Sequence, residues 1–332
     1  MSSLANIVNS FSQQRLVVIG DAIADQFVYG EISRVSREAP VFILRHEHTE
    51  TTPGGAGNCA ANLAALGAQV SLISVLGNDQ TGQILSDKLR EAGVNCDGVS
   101  VSGGRQTTTK VRVLAGQIHS TRQQVIRIDY DNEPGLSAEL QEKLRADISQ
   151  AVAGADAVII SDYNYAVAAP GIGDVVRKAL GDRKIPVLVD SRYRLASFSG
   201  FTSATPNEDE VAELLGAEQA DEAALEAAAE QLRQRLGYEA LLVTRGGRGM
   251  TLIEANTAPL HIDAVGSRQP VDVTGAGDTV IATYGLALAS GASFADAARL
   301  ANFAGGIVVM KRGTATLSME ELLSSMGPVT NE

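Results

Sequence analysis

A chain of 332 residues, 45% apolar and 20% charged, has the composition of an ordinary folded protein and is long enough for one large core. Its net charge of −12 argues against nucleic acid or an anionic membrane as the main partner. Two cysteines, Cys59 and Cys96, give no disulfide framework, the first residues lack a basic region followed by a long apolar run, and no apolar stretch approaches the roughly 20 residues of a membrane span, so a cytoplasmic protein is expected.

Residues 15–21, RLVVIGD, form a short apolar run closed by Gly and Asp and read as a buried strand. Residues 156–162, 186–192 and 240–246 follow the same plan. Between them, apolar residues at three- and four-residue spacing predict helices over 56–66, 81–92, 137–152, 171–180 and 221–236, and a further helix over 280–290 that stops before Gly291. Strands alternating with helices imply a mostly parallel sheet with helices on both faces, a three-layer α/β/α core. Two segments, about 27–52 and 107–129, instead suggest antiparallel strand pairs with polar turns, a small β-flap or lid projecting from the core.

Ligands of such sheets bind outside the carboxyl ends of the strands, where Asp21, Asp162, Asp190 and Arg245 fall. Asp21 has the position to bind two neighbouring hydroxyls, although Gly-Asp is also a common turn. In PGGAGN, Gly54, Gly55 and Gly57 precede a helix that carries Asn58 and Asn62, a pattern suited to close recognition of sugar hydroxyls or to a capped turn. Asn207 and Glu210, three apart at a helix start, either orient Mg²⁺ through water or form a capping box. TRGGRGM, with Thr244, Gly247 and Gly249, is a nucleotide contact or a hairpin turn. In TGAGD, Gly275, Ala276 and Gly277 open a helix whose unpaired first-turn N–H groups can meet an anion without interference from a Cβ, with Asp278 one residue inside; the bland alternative is a tight turn with a capping aspartate. His46, His48, His119 and His261 share no metal-ligand spacing with one another or with cysteine and are read as non-catalytic.

Taken together and in this order, Gly20-Asp21, PGGAGN, Asn207-x-x-Glu210 and the DVTGAGD of residues 272–278 resemble the ribokinase or PfkB family of sugar kinases over nearly the whole chain. The resemblance implies a ribokinase-like core with a β-lid, ATP as donor, Mg²⁺, and transfer of a phosphoryl group to a sugar hydroxyl. It makes Asp278 the base, the N–H groups of Gly275, Ala276 and Gly277 the anion hole, Asn207 and Glu210 the metal-and-phosphate motif, and Asn302 part of the adenine pocket. SRVSREAPVFIL before PGGAGN, with TKVRVLAG, QQVIRIDYD and VLVDSR, is more narrowly similar to the D-glycero-β-D-manno-heptose 7-phosphate kinases of lipopolysaccharide core synthesis, in a kinase-only form. One departure stands out: relatives often follow SDY with Lys-Gly, where this chain has Asn164, Tyr165 and Ala166.

On this reading 1–332 is one kinase domain. The sugar lies against Asp21, Gly54, Gly55, Asn58 and Asp190, and ATP lies over Thr244, Gly247, Gly249 and Asn302. An acidic protein needs local cations to hold a second phosphate, and the flap offers Arg34, Arg37, Lys110 and Arg112, the last two on one face of a strand. The resemblance also implies a homodimer, since exposed flap strands in such kinases often pair. The alternatives are a kinase for ribose, fructose or a fructose phosphate, or a regulator that binds sugar or nucleotide without catalysis. An NAD enzyme is disfavoured, because no G-x-G-x-x-G follows the first strand.

Overall fold

The computed structural model describes residues 3–116, 122–131, 135–216, 221–266 and 269–326. His119 lies outside them. The strands in chain order are β1 (Arg15–Gly20), β2 (Ala22–Val35), β3 (Phe42–Gly55), β4 (Gln69–Gly77), β5 (Val99–Ser102), β6 (Thr109–Gly116), β7 (Gln123–Tyr130), β8 (Ala157–Asp162), β9 (Val187–Ser191), β10 (Ser203–Ala204), β11 (Ala240–Thr244), β12 (Met250–Glu254) and β13 (Leu260–Ile262). The helices are α1 (Ser3–Asn9), α2 (Ala56–Ala65), α3 (Gln80–Glu91), α4 (Ala138–Ala153), α5 (Ile172–Leu180), α6 (Glu208–Leu215), α7 (Glu222–Leu236), α8 (Ala276–Ala289), α9 (Phe294–Val308) and α10 (Met319–Ser325).

The main sheet runs β13-β12-β11-β10-β9-β8-β1-β4-β5, parallel from β11 to β5, with β12 and β13 added antiparallel at one edge. In β1, Ile19 is in register with Ile73 of β4 and Ile160 of β8. β1, β8, β9 and β11 are apolar runs rather than alternating ones because both faces of the sheet are covered there. One face packs Val18, Leu72 and Ile159 against α2, α3, α8, α9 and α10. The other packs Val17, Ile73 and Ile160 against α4, α5, α6 and α7. This is the ribokinase-like three-layer α/β/α core. The expected strands and helices are present, and α1, β4, β5, β10, β13, α9 and α10 add to them.

The flap is one four-stranded sheet, β3-β2-β6-β7. Its halves are antiparallel pairs, as expected, but β2 and β6 join them in parallel. Its first two strands also reach deeper than 27–52, from Ala22 to Gly55, so the root of the flap forms a wall of the site. Asp79, the cap of α3, also accepts from the N–H of Thr107 at 2.7 Å and so ties the entry of β6 to the core. Among the described residues no helix is long and apolar enough to cross a membrane.

Candidate active site

Helix α8 starts at Gly275, whose φ of 77° is left-handed and favours glycine. A Cβ there would stand 2.4 Å from Nδ2 of Asn58 and 2.8 Å from Cγ2 of Thr314, so the glycine also makes room for Asn58. The Ala276 N–H donates to Val273 O at 3.2 Å, and the next bond of the ladder runs from Thr279 N–H to Gly275 O. The amides of Gly277 and Asp278 between them project from the first turn, where the helix dipole is positive, and a Cβ on Gly277 would meet nothing within 4 Å. This corrects one expectation: Ala276 offers a surface to the entrance but its N–H is already used, which leaves Gly277 and its neighbours as anion donors.

Asp278 is almost completely buried, yet its two oxygens are held separately. Nδ2 of Asn58 donates to Oδ2 at 3.0 Å, and the Tyr163 hydroxyl donates to Oδ1 at 2.8 Å. Burial pushes the carboxyl up to about 7, against the lowering effect of these two hydrogen bonds, while Asp25 raises it further and Lys110 lowers it. A carboxyl in that range is suited to accepting a proton near neutral pH. Asn58, expected at the sugar, thus serves the carboxylate instead; it also donates to Gly275 O, and Asn62 donates to its Oδ1 at 2.9 Å.

The flap root supplies a carboxylate that the motifs did not single out. Asp25 pairs with Arg112 in a nearly buried ion pair and accepts from the Thr314 hydroxyl at 3.0 Å. A Cβ on Gly54 would lie 2.3 Å from its Oδ2, so Gly54 makes room for Asp25 rather than for a ligand. Gly55, the N-cap of α2, sits against Asp21 O. The available signal was AIADQF, where one charge interrupts a strand-like run. Lys110, opposite Asp25 in the flap register, is buried with Nζ 5.0 Å from the centroid of Tyr163 and 5.9 Å from that of Tyr165. Burial lowers its pKa and Asp25 partly restores it. Arg34 does not share this place. It is exposed on β2 beside Ile43, nine residues beyond Asp25, on the order of 25–30 Å along the strand.

Asp21 is also displaced from its expected role. It is 2% exposed, and its oxygens accept from the backbone N–H groups of Tyr163 (2.9 Å), Tyr165 (3.1 Å) and Val167 (2.9 Å), so it anchors a loop and cannot hold sugar hydroxyls. Asp190 faces carboxylates. Burial pushes its carboxyl well up, Glu210, Asp278 and Asp162 add to the effect, and no hydrogen bond offsets it. Asp162 has its own cation, Arg194, and accepts from the Ser191 hydroxyl at 2.6 Å. The Asn207–Glu210 motif is a capping box: Oδ1 of Asn207 accepts from Glu210 N–H at 2.8 Å and Oε2 of Glu210 accepts from Asn207 N–H at 2.9 Å. The cap takes one lone pair of the Asn207 oxygen and leaves the other for a water. Asp190 and Glu210, close enough for Glu210 to raise Asp190 electrostatically, are hard oxygen donors of the type that Mg²⁺ takes.

Beyond the α8 entrance a mostly apolar cavity of about 220 Å³ is lined by Thr244, Gly247, Gly249, Val265, Gly277 and Asn302, among others. Thr244 pairs with Asn207, bringing the capping box to the cavity's edge. Nδ2 of Asn302 donates to Asp263 O at 2.8 Å and pins the far wall. His261, read from the sequence as non-catalytic, lies with Glu222 and Glu226. Its two ring nitrogens face Glu222 at 3.0 Å and Glu226 at 2.8 Å, and Arg245 also pairs with Glu222, so the group ties α7 to the β11–β12 turn.

A mostly apolar cavity, the open first turn of α8 and a buried carboxylate at the root of a flap are parts from which an ATP-dependent sugar kinase is built. A model of the pfkB family of carbohydrate kinases matches residues 13–322, and the chain belongs to that family. It is 40% identical over 320 residues to the bifunctional protein HldE of Desulfatibacillum aliphaticivorans, covering 96% of this chain and 64% of that protein. It is 41% identical over 337 residues to the HldE of Caulobacter vibrioides, covering 99% and 67%. The chain thus spans about two thirds of the length of these relatives. Among solved structures it is similar to Arabidopsis thaliana ribokinase complexed with ribose and ATP (TM-score 0.72, 22% identity, 95% of this chain and 99% of the other). It is also similar to Escherichia coli phosphofructokinase-2 with substrates and products (TM-score 0.76, 19% identity, 94% and 97%). At that identity these two likenesses concern the fold.

Proposed function

We propose that this chain is a single kinase unit that phosphorylates the anomeric C1 hydroxyl of a sugar phosphate, D-glycero-β-D-manno-heptose 7-phosphate, giving the 1,7-bisphosphate on the route to ADP-heptose and lipopolysaccharide core. The observation that carries the phosphorylated acceptor is Lys110, a buried ammonium at the flap root beside the catalytic carboxylate, with aromatic faces beneath it. A solvated surface lysine would not be placed so. In an acidic chain it is the local cation that a distal phosphate requires.

The sugar lies between the flap root and Asp278, with Asp25 as acceptor for its hydroxyls. ATP lies in the cavity by Thr244, Gly247 and Asn302, its terminal phosphate at the α8 entrance. The anomeric oxygen forms its bond to the γ-phosphorus as the bond to the β-phosphate oxygen breaks, Asp278 takes the hydroxyl proton, and ADP leaves. The Gly277 amide and the helix dipole stabilise charge on the transferring group. Mg²⁺, when bound at Asp190 and Glu210, neutralises phosphate charge. Closure of the flap excludes water.

The test is MgATP-dependent ADP release with heptose 7-phosphate, ribose, fructose and fructose 6-phosphate. Heptose 7-phosphate is expected to give the highest kcat/KM by at least about 100-fold. Equal or better turnover of another sugar overturns the assignment, and no sugar-dependent release at all favours a non-catalytic regulator.

We further infer a homodimer formed through the flap. Val35, Phe42, Ile126 and Ile128 on the flap strands, with Val41 in the turn beside them, are exposed large apolar side chains, a concentration typical of an interface. Phe42→Glu is expected to shift the sedimenting species from dimer to monomer; a wild-type monomer removes the proposal.

A further inference from the structure

The loop between β8 and α5 carries two non-glycine residues in the left-handed region, Asn164 (φ 65°) and Ala166 (φ 84°). Asparagine tolerates that conformation, but for alanine it is strained by roughly 1–3 kcal/mol, so the surroundings must impose it. The source is visible. With every second residue turned left-handed, the N–H groups of Tyr163, Tyr165 and Val167 converge on one point, the carboxylate of Asp21. The backbone makes an anion-binding nest for the protein's own aspartate. Asp162 adds a fourth tie by accepting from the Asn164 N–H at 3.0 Å.

This clamp points the Tyr163 hydroxyl at Oδ1 of Asp278. We propose that Tyr163 is the positioning residue of the kinase reaction: held by the Asp21 nest, its hydroxyl fixes the Asp278 carboxylate from the side opposite Asn58 and keeps it in the proton-accepting form. The inference rests on Asp278 being the base. Two donors, one on each oxygen, hold the carboxylate in a single orientation and leave one lone pair on each oxygen for substrate. Tyr163 cannot itself take the proton's place in the reaction, because burial and the neighbouring Asp278 push its own ionisation well above the usual tyrosine range, so the hydroxyl stays a donor. Its ring meanwhile carries Lys110 on its face, so one side chain sets the places of both the base and the cation. The sequence expresses this poorly, because Asp21 is linked to Tyr163 only through backbone amides more than a hundred residues away.

The experiment compares the pH profiles of kcat/KM for wild type, Tyr163→Phe and Asp278→Asn, using MgATP and D-glycero-β-D-manno-heptose 7-phosphate. Phenylalanine keeps the ring beneath Lys110 and removes only the hydroxyl. The acid limb of Tyr163→Phe is expected to move up by about one pH unit, with activity down about 5-fold at pH 7 and largely recovered by pH 9. The KM for ATP should not change. A profile that superimposes on wild type, or a loss equal at every pH, overturns the positioning role. If Asp278→Asn turns over like wild type, the base assignment itself is wrong, which is a separate outcome from an inactive Asp278→Asn beside an unshifted Tyr163→Phe.

Discussion

Asp278→Asn is expected to remain folded and to lose about 10³-fold or more in turnover, because in the proposed mechanism it removes the carboxylate that takes the acceptor's proton. It should also be more stable than wild type at alkaline pH. The folded Asp278 carboxyl is pushed from 3.8 up to about 7, chiefly by burial. The folded state therefore holds this proton more tightly than the unfolded chain does. Stability is intact below about pH 4, where both forms are protonated, and falls as pH rises toward 7, where burying the charge costs at most about 4 kcal/mol. Asparagine avoids that cost. Its Oδ1 accepts from Asn58, and its Nδ2 donates to the Tyr163 oxygen. The expected result is a melting temperature several degrees above wild type at pH 8 and a gap that narrows toward pH 5. Circular dichroism melts at both pH values, run beside the turnover assay, check the two consequences separately. Wild-type turnover would remove Asp278 as base, and a melting difference independent of pH would contradict the buried-carboxylate account.

The same buried-charge logic explains why some of this site was legible in the sequence and some was not. Features written within one segment were readable. The GAGD entrance requires a left-handed glycine followed by a helix, and that requirement appears directly at Gly275 and the apolar run behind it. The Asn207–Glu210 capping box is equally local. The parallel core was readable from β1, β8, β9 and β11, which are apolar runs, whereas β4, broken by Ser71 and Ser74, and the two-residue β10 were not. Features that depend on which way a side chain turns were not readable. Asp21 and Asp25 lie four residues apart, and the motif drew attention to Asp21. Only the placement of the 163–167 loop turns Asp21 inward, and only the pairing of Asp25 with Lys110 across β2 and β6 sets Asp25 at the flap root. Asn58 looked like a sugar ligand because its helix starts beside the site, but its amide is drawn to Asp278 across more than two hundred residues. Arg34 was grouped with Lys110 because both lie in the flap, and the length of β2 separates them.

Lys110→Met should raise the KM for heptose 7-phosphate by about 100-fold while changing the KM for ATP by less than about 3-fold. Methionine keeps an unbranched apolar side chain and removes the ammonium that lies over Tyr163 and Tyr165, so the variant separates charge from packing. A charge-assisted contact to phosphate in a water-poor site is worth about 2–3 kcal/mol, which corresponds to the stated factor. The preference for the phosphorylated over the unphosphorylated sugar should shrink by the same factor, because only the phosphorylated acceptor uses the cation. Stability supplies a second, independent sign. Burial lowers the Lys110 pKa, so the folded state disfavours the charged form, and Asp25, already paired with Arg112, compensates it only in part. An ammonium held this way costs stability when no ligand is bound. The methionine variant should therefore melt at or above the wild-type temperature at pH 7 without substrate, and should lose much of the stabilisation that wild type gains from the sugar phosphate. A cation that is unfavourable alone and favourable only with an anion in place belongs to the ligand rather than to the fold. If the KM stays at the wild-type value and kcat alone falls, Lys110 acts on the transferring phosphoryl group, and the distal phosphate must find its partner elsewhere on the flap.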